Sequence, residues 1–286
     1  MADTRDLQSL HKEFLTFLAG QKRANATILA YGKDIDQLVK FLTNAGRTQA
    51  SEITKDDLDA FTGKLTKDGY TPKSVSRKIN SIKTFYRFLK NNGFVSLNPA
   101  TEIRHPKYDT KPPRVLSKME YRALRDATRG DVRTYAIVEL FLQTGVRIGE
   151  LAQLTIVDIQ EKELMVKDTN GSSRSVPLNK AAKQALDSYI AIRPKTQNAT
   201  LFVTKSGKPL LIRNIRTTID RFFRVAGIVD AKINDLRHTF IAHHLAAGTP
   251  ITTISKIVGH KRVSTTEKYL NLVKEQEREN VKLEEL

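Results

Sequence analysis

The chain has 286 residues, 40% of them hydrophobic and 28% charged, with a formal net charge of +17 and no cysteine. That length bounds it to about two ordinary domains, and that charge draws a polyanion, nucleic acid ahead of an anionic membrane, with surplus lysine for solubility as the alternative. Disulfides, thiol catalysis and cysteine-ligated metal are excluded, no apolar run reaches the roughly twenty residues of a membrane span, and the N-terminal MADTRDLQSLHKEF has no signal-peptide core, so the expected location is cytoplasmic.

Leu7, Leu10, Phe14, Leu15, Phe17 and Leu18 recur at helical spacing, as do Leu29, Ile35, Leu38, Phe41 and Leu42. Thr54 is placed to cap a third helix running to about Leu65, with Asp56 and Asp57 at its positive end. Thr71 followed by Pro72 starts a fourth, which Asn91, Asn92 and Gly93 stop. This fourth helix sets Val75, Ile79, Ile82, Phe85, Phe88 and Leu89 against Lys73, Arg77, Lys78, Lys83, Arg87 and Lys90. One face can pack while the other meets phosphates, and a merely solvated face fits the pattern equally. Residues 1–104 are read as an N-terminal helical bundle.

HPKYDTKPPR, residues 105–114, holds three prolines and no apolar periodicity, and reads as an extended linker. Residues 115–286 form the second domain. Ser117 caps a helix through Tyr121, Leu124 and Ala127; Arg133 to Leu142 forms another, which Gly145 breaks; a short helix begins at Glu150. Arg147 therefore sits in a turn between helices. Glu163–Lys167 and Ser173–Leu178 are expected to be two strands around Thr169, Asn170 and Gly171, Asn-Gly being a strong hairpin signal. Helices follow over Ala181–Ile192 and Ile212–Ala226, the second carrying Arg213, Arg216, Arg221 and Arg224, either on DNA or partly paired to carboxylates. Leu201–Val203 is read as a short strand before a turn at Ser206 to Pro209.

The densest chemistry lies in NDLRHTFIAHHLAAGTPITTISKIVGHKRVSTTEKYL, residues 234–269, which holds Arg237, four histidines and Tyr269. Arginine offers a planar fork of donors that matches phosphate oxygens. Histidine can exchange a proton near neutral pH, and a tyrosine hydroxyl can act as a covalent nucleophile. Together they point to phosphoryl transfer through tyrosine. A metal reading of His238, His243 and His244 is weak, because spacings of five and six do not stack ligands on one helix face and no HExxH is present. No metal or other cofactor is expected.

With Arg147 in TGVRIGEL, Arg237 in NDLRHT, His260 in VGH and Tyr269 nine residues later, the chain resembles the tyrosine recombinases of the phage integrase and Xer type. The resemblance implies a mainly α fold with a small β-hairpin, composed of a SAM-like core-binding helical bundle and a mixed α/β catalytic domain. It implies a site-specific recombinase that cleaves double-stranded DNA through a 3′-phosphotyrosyl intermediate and exchanges strands between two sites in a tetrameric synapse. The catalytic set so implied is Arg147, Lys167, Asn234, Arg237, His260 and Tyr269, supported by Glu150, which helps hold Arg147, and by His238. DNA contacts would come from Lys73, Arg77, Lys78, Lys83 and Arg87 on the fourth helix and from Arg213 and Arg216. The segment after Tyr269, Leu270–Leu286, reads as a final amphipathic helix, and the resemblance implies that it docks on a neighbouring protomer; a partner recombinase or activating protein would also fit.

Two positions depart from the family pattern. The second motif begins with Asn234 where the family carries histidine or lysine, and an amide cannot accept a proton at neutral pH. The hairpin lysine that protonates the leaving 5′ oxygen falls at Thr169, and Lys167, two residues earlier, is the replacement expected. These departures keep two other readings open: a DNA-binding protein of this fold with impaired cleavage, and a type IB topoisomerase-like nicking enzyme.

Overall fold

The computed structural model describes residues 6–21, 23–109, 111–168 and 171–280, the last helix with side chains as far as residue 272. The chain divides between residues 110 and 111 into two compact units. That division falls within the proline-rich stretch 105–114. Among the described residues no helix is long and apolar enough to cross a membrane.

The first unit is built on four helices, α1 (Leu7–Gly20), α2 (Asn25–Asn44), α3 (Lys55–Lys67) and α4 (Pro72–Asn91). Their starts follow local chemistry. Thr54 and Asp57 form a reciprocal capping box on α3, and Thr71 caps α4 with Pro72 in its first turn. The expected apolar stripe of α4 is buried throughout, with Phe85 meeting Phe14 edge-on at 5.2 Å between ring centroids.

One residue on α4 does not lie where the DNA-facing reading put it. Lys78 is only 5% exposed, and its ammonium donates to Asp34 Oδ1 at 2.9 Å and Gln37 Oε1 at 2.7 Å. Asp34 is buried, and a buried carboxylate needs its countercharge beside it. Lys78, Arg77 and the Ser81 hydroxyl supply that. Lys78 is thus core and out of reach of a phosphate, while Arg77 divides itself between Asp34 and the surface. Lys73 and Arg87 are exposed and have no ion pair among the described residues, and Lys83 reaches the Thr101 carbonyl at 3.5 Å.

The second unit comprises α5 (Lys118–Thr128), α6 (Val132–Thr144), α7 (Ile148–Gln153), β1 (Glu163–Lys167), β2 (Ser173–Pro177), α8 (Lys180–Ile192), α9 (Ile212–Val225), α10 (Ile233–Ala246), α11 (Ile251–Val258) and α12 (Ser264–Asn280). Helix α6 is buried almost all round, which accounts for its nearly unbroken apolar body. It packs on α5, α8 and α10.

The antiparallel hairpin pairs Glu163 with Pro177 and Lys167 with Ser173. The two strands are the expected ones, the second ending one residue early at Pro177, and the connection runs over residues 168–172, of which Thr169 and Asn170 lie outside the described residues. Three other expectations are corrected. Helix α7 starts at Ile148, two residues early, because Glu150 belongs in its first turn, where its carboxylate accepts the Arg147 N–H at 2.7 Å. Residues 201–203 make only an isolated bridge, Val203 to Pro209, with no ladder to extend. Tyr269 does not precede the final helix but rides on α12, which begins at Ser264. The expected tail positions Val281, Leu283 and Leu286 lie outside the described residues.

Candidate active site

The site is assembled around the last turn of α11, where a helix leaves carbonyl oxygens without intrahelical partners. Three arginines from three different elements donate to three consecutive carbonyls there. Arg174 Nε, from β2, donates to Ile257 O at 2.7 Å; Arg237 Nη2, from α10, to Val258 O at 2.7 Å; and Arg147 Nη2, at the N-cap of α7, to Gly259 O at 2.8 Å. The negative end of the helix dipole favours these cations.

Two glycines make the arrangement possible. Gly145 ends α6 in the left-handed region at φ 62°, where its carbonyl accepts from Arg237, and a Cβ there would lie 2.5 Å from the Phe240 ring. Gly259 ends α11 at φ 66°, which turns the chain so that His260 follows directly.

A single carboxylate serves two of these guanidinium groups. Glu150 Oε1 accepts from Arg147 at 2.8 Å and from Arg174 at 2.9 Å, and Oε2 accepts from Arg174 at 2.8 Å. Burial pushes the Glu150 carboxyl up, but the donors from Arg174 and Arg147 outweigh it and hold it at about 2. Arg237 is 7% exposed and bonds only to carbonyls. Burial and the charge of Arg147 both disfavour its ionised form. Three guanidinium groups around one carboxylate leave two positive charges uncompensated, which is a standing invitation to an anion.

His260 Nδ1 lies 2.8 Å from the fully buried Thr266 hydroxyl, which fixes the ring. Burial, then Arg237 and Arg147, push its pKa down to about 4, so the ring is neutral at pH 7. Tyr269 is 6% exposed, packed in a cluster with Phe240, Ile241, Leu245, Ile254 and Val258. Burial raises its pKa and the Arg237 charge partly offsets that. The His238 ring is 5.9 Å from the Tyr269 ring, and its Nδ1 stands 3.3 Å from Asp235 without the alignment of a hydrogen bond. Thus Arg147, Glu150, Arg237, His238, His260 and Tyr269 are joined by direct contacts or by mutual electrostatic influence.

Two expected residues stand apart. Asn234 is exposed in the first turn of α10, and its side chain has no hydrogen bond among the described residues. Lys167 is corrected by strand alternation. Val166 pairs with Arg174 and shares its inward face, so Lys167 projects from the opposite face, where its ammonium sits 3.2 Å from Asp158. A cleft of about 430 Å³ does open between the hairpin and the turn after α11, lined by Arg174, His260, Lys256 and Lys261. Both of those lysines are exposed and without a carboxylate partner among the described residues. On α9, Arg213, Arg216, Arg221 and Arg224 are all exposed and none is ion-paired among the described residues, which removes the carboxylate-paired alternative for that helix.

Arg174 is a site residue that no sequence motif announces. It is a lone arginine between Ser173 and Ser175, and its one signal is its place two residues before Val176, on the inward face of a strand.

Residues 114–276 match the phage integrase family, and residues 11–93 match the phage integrase N-terminal SAM-like domain. The chain belongs to the phage integrase family and is a tyrosine-type site-specific recombinase. It is 31% identical over 274 residues to tyrosine recombinase XerC of Roseiflexus castenholzii, covering 91% of this chain and 87% of that protein. The crystal structure of XerA recombinase aligns over 97% of this chain and all of that one, with TM-score 0.55 and 28% identity. A lambda integrase tetramer bound to a Holliday junction shares the fold, with TM-score 0.74 and 19% identity over 91% of this chain and 78% of that one.

Proposed function

We propose that this recombinase breaks and rejoins double-stranded DNA through Tyr269, exchanging strands between two sites held in a tetramer. In the cleavage step the Tyr269 oxygen attacks the phosphorus. A P–O bond to tyrosine forms, the bond to the 5′ oxygen breaks, the tyrosine proton passes to solvent, and the departing 5′ oxygen takes up another. The product is a 3′-phosphotyrosyl link and a free 5′ hydroxyl. Attack by a 5′ hydroxyl from the second site reverses the step, and the phosphodiester energy is conserved without ATP.

The observation that carries this reading is the pair of uncompensated positive charges in the Arg147, Arg174 and Arg237 cluster, whose Arg237 acts electrostatically on Tyr269. A pentavalent phosphorane gains charge on its non-bridging oxygens as it forms, so donors fixed in advance stabilise it more than the ground state. Arginines here take the part that metal ions play in many phosphoryl transfers. His260 Nδ1 lies 2.8 Å from the Thr266 hydroxyl, and in the tautomer in which that hydroxyl donates, the neutral ring carries its proton on Nε2 and offers one further donor to the phosphate.

The proton for the 5′ oxygen is assigned to an ammonium in the cleft beside His260, Lys261 being next to it in the chain, because Lys167 is tied to Asp158 on the far face of the hairpin. Lys73, Arg87, Arg213 and Arg216, exposed and unpaired among the described residues, are the side chains offered to the DNA backbone. The lambda integrase tetramer on a Holliday junction supports tetrameric assembly.

Covalent capture tests the reading. The protein and its Tyr269→Phe variant are incubated with a broad pool of genomic fragments, and SDS-resistant protein–DNA adducts are isolated and sequenced. Adducts that require Tyr269 and converge on one sequence support it and reveal the site. A second reading, specific DNA binding with impaired cleavage, is favoured by the absence of a proton acceptor at Asn234; it predicts a specific bound sequence and no adduct. Relaxation of supercoils on DNA carrying a single site would instead indicate a nicking-closing enzyme.

A further inference from the structure

Resting on the cleavage reading above, the geometry points to Arg174 as a positioning residue that keeps Arg147 open to the phosphate by sharing the Glu150 carboxylate with it. The hydrogen bonds define the division. Glu150 has two oxygens. Arg174 takes both, at 2.9 and 2.8 Å, and Arg147 reaches only Oε1 with its guanidinium, at 2.8 Å, while Oε2 also accepts the Arg147 backbone N–H at 2.7 Å. Arg147 is thereby held by one charged contact through Nη1 and one neutral contact through Nη2 to Gly259 O, and about two-fifths of its side chain stays exposed. Arg174, at 15%, is mostly enclosed.

A fork-shaped guanidinium beside a carboxylate prefers two parallel bonds. Without Arg174, both Glu150 oxygens become open to Arg147, whose second nitrogen can leave the Gly259 carbonyl for Oε2. The clamp then closes on its own carboxylate, and an incoming phosphate meets an internally neutralised pair. Arg174 prevents this by occupying those lone pairs and halving the negative charge that Arg147 feels. Its Nε bond to Ile257 O at 2.7 Å registers the hairpin on α11 in the same stroke. The close approach of the Arg174 guanidinium to Gly259, where a Cβ would lie 3.0 Å from Nη1, shows how little room this side chain has to move.

The test separates charge sharing from simple scaffolding. On the site recovered by covalent capture, adduct formation at saturating DNA is measured for the wild type, Arg174→Ala, Glu150→Gln and the double variant, with DNA affinity and unfolding midpoint measured for each. Arg174→Ala is expected to lower the cleavage rate about 10²-fold with affinity changed by less than about threefold. Adding Glu150→Gln removes the charge that captures Arg147, and is expected to recover at least about tenfold of that loss even though it deletes further hydrogen bonds. A scaffolding role predicts the reverse, a double variant no faster than Arg174→Ala, and that result overturns the proposal. Should Arg174→Ala not fold, Arg174→Gln and its Glu150→Gln double carry the same comparison. If the wild type itself forms no Tyr269 adduct, the cleavage reading fails instead, and the two failures are told apart by that control.

Discussion

Arg147 and Arg237 donate to neighbouring carbonyl oxygens, Gly259 O at 2.8 Å and Val258 O at 2.7 Å, although they lie ninety positions apart in the chain. Each uses one N–H of both terminal nitrogens on the scaffold, Arg147 on Glu150 and Gly259 O and Arg237 on Gly145 O and Val258 O, and keeps its remaining N–H groups for a ligand, so position and donor capacity are set by the same fork. Lysine cannot do both, because its single nitrogen must choose. Arg147→Lys and Arg237→Lys are each expected to slow Tyr269 adduct formation by about 10² to 10³-fold while DNA affinity at fixed salt changes little. Single-turnover cleavage beside a binding titration checks this; a loss that appears wholly in affinity would mean the arginines only bind DNA.

Gly259 supplies the left-handed residue at φ 66° that ends α11, and its hydrogen faces the Arg174 guanidinium. Gly259→Ala is expected to destabilise the fold by roughly 1–2 kcal/mol from the backbone alone, and more because Arg174 is held by three hydrogen bonds and cannot retreat. Gly149→Ala, inside α7 with open space around it, is the control, expected to be neutral or stabilising by up to about 1 kcal/mol. Urea unfolding of both variants decides it. Equal midpoints would show that the turn after α11 tolerates a side chain.

Much of this architecture is legible in the amino-acid sequence. Caps such as Thr54 and Ser117 are local devices, and both form. The candidate site is legible in part because Arg147, Arg237, His260 and Tyr269 keep a spacing that the fold turns into proximity. Arg174 and Lys78 are not, for a common reason. Each is a cation whose meaning depends on a distant carboxylate, Glu150 or Asp34, and neither periodicity nor composition shows which cations a fold will enclose. Lys167 illustrates the period-two rule: one residue along a strand reverses the face.

The pH dependence of cleavage reports how Tyr269 loses its proton. Burial raises its pKa against the pull of Arg237, and Asn234 cannot accept a proton. With only solvent as acceptor, the rate should climb about tenfold per pH unit between pH 6 and 9, with no plateau. Asn234→His is expected to raise the neutral-pH rate by about 10²-fold and to level off above the imidazole pKa. A wild-type rate that levels off within this range, and loses that plateau in His238→Gln, would instead identify His238, whose ring is 5.9 Å from that of Tyr269, as the acceptor.

Stability should fall in acid in two stages. His260 is held at about 4 in the fold against about 6.5 when unfolded, so the unfolded chain takes up the proton first and stability declines as pH drops from 6.5 towards 4. Glu150, held at about 2, contributes stability that is complete above its unfolded value of about 4.5 and disappears as pH falls towards 2. Thermal midpoints between pH 8 and 3 test this. His260→Asn should reduce the upper stage, to which His11, His105 and His244, also lowered by burial, contribute the rest, and leave the lower one; an unchanged upper stage would assign it to those groups alone.

The source of the leaving-group proton can be isolated chemically. An alkoxide leaves poorly without protonation, whereas a thiolate is far less basic and departs unaided, so replacing the bridging 5′ oxygen by sulfur makes the acid dispensable. Lys261 borders the cleft next to His260, and Lys167 is held at Asp158. On the ordinary substrate, Lys261→Ala is expected to slow cleavage about 10² to 10⁴-fold, and Lys167→Ala less than about threefold. On the sulfur-bridged substrate, Lys261→Ala should cleave within about threefold of the wild type. If the defect persists with sulfur, Lys261 acts on binding or geometry rather than on the proton. If Lys167→Ala shows the large, sulfur-rescued loss, its ion pair with Asp158 must open on DNA, and the hairpin face read from the free protein is not the one that reacts.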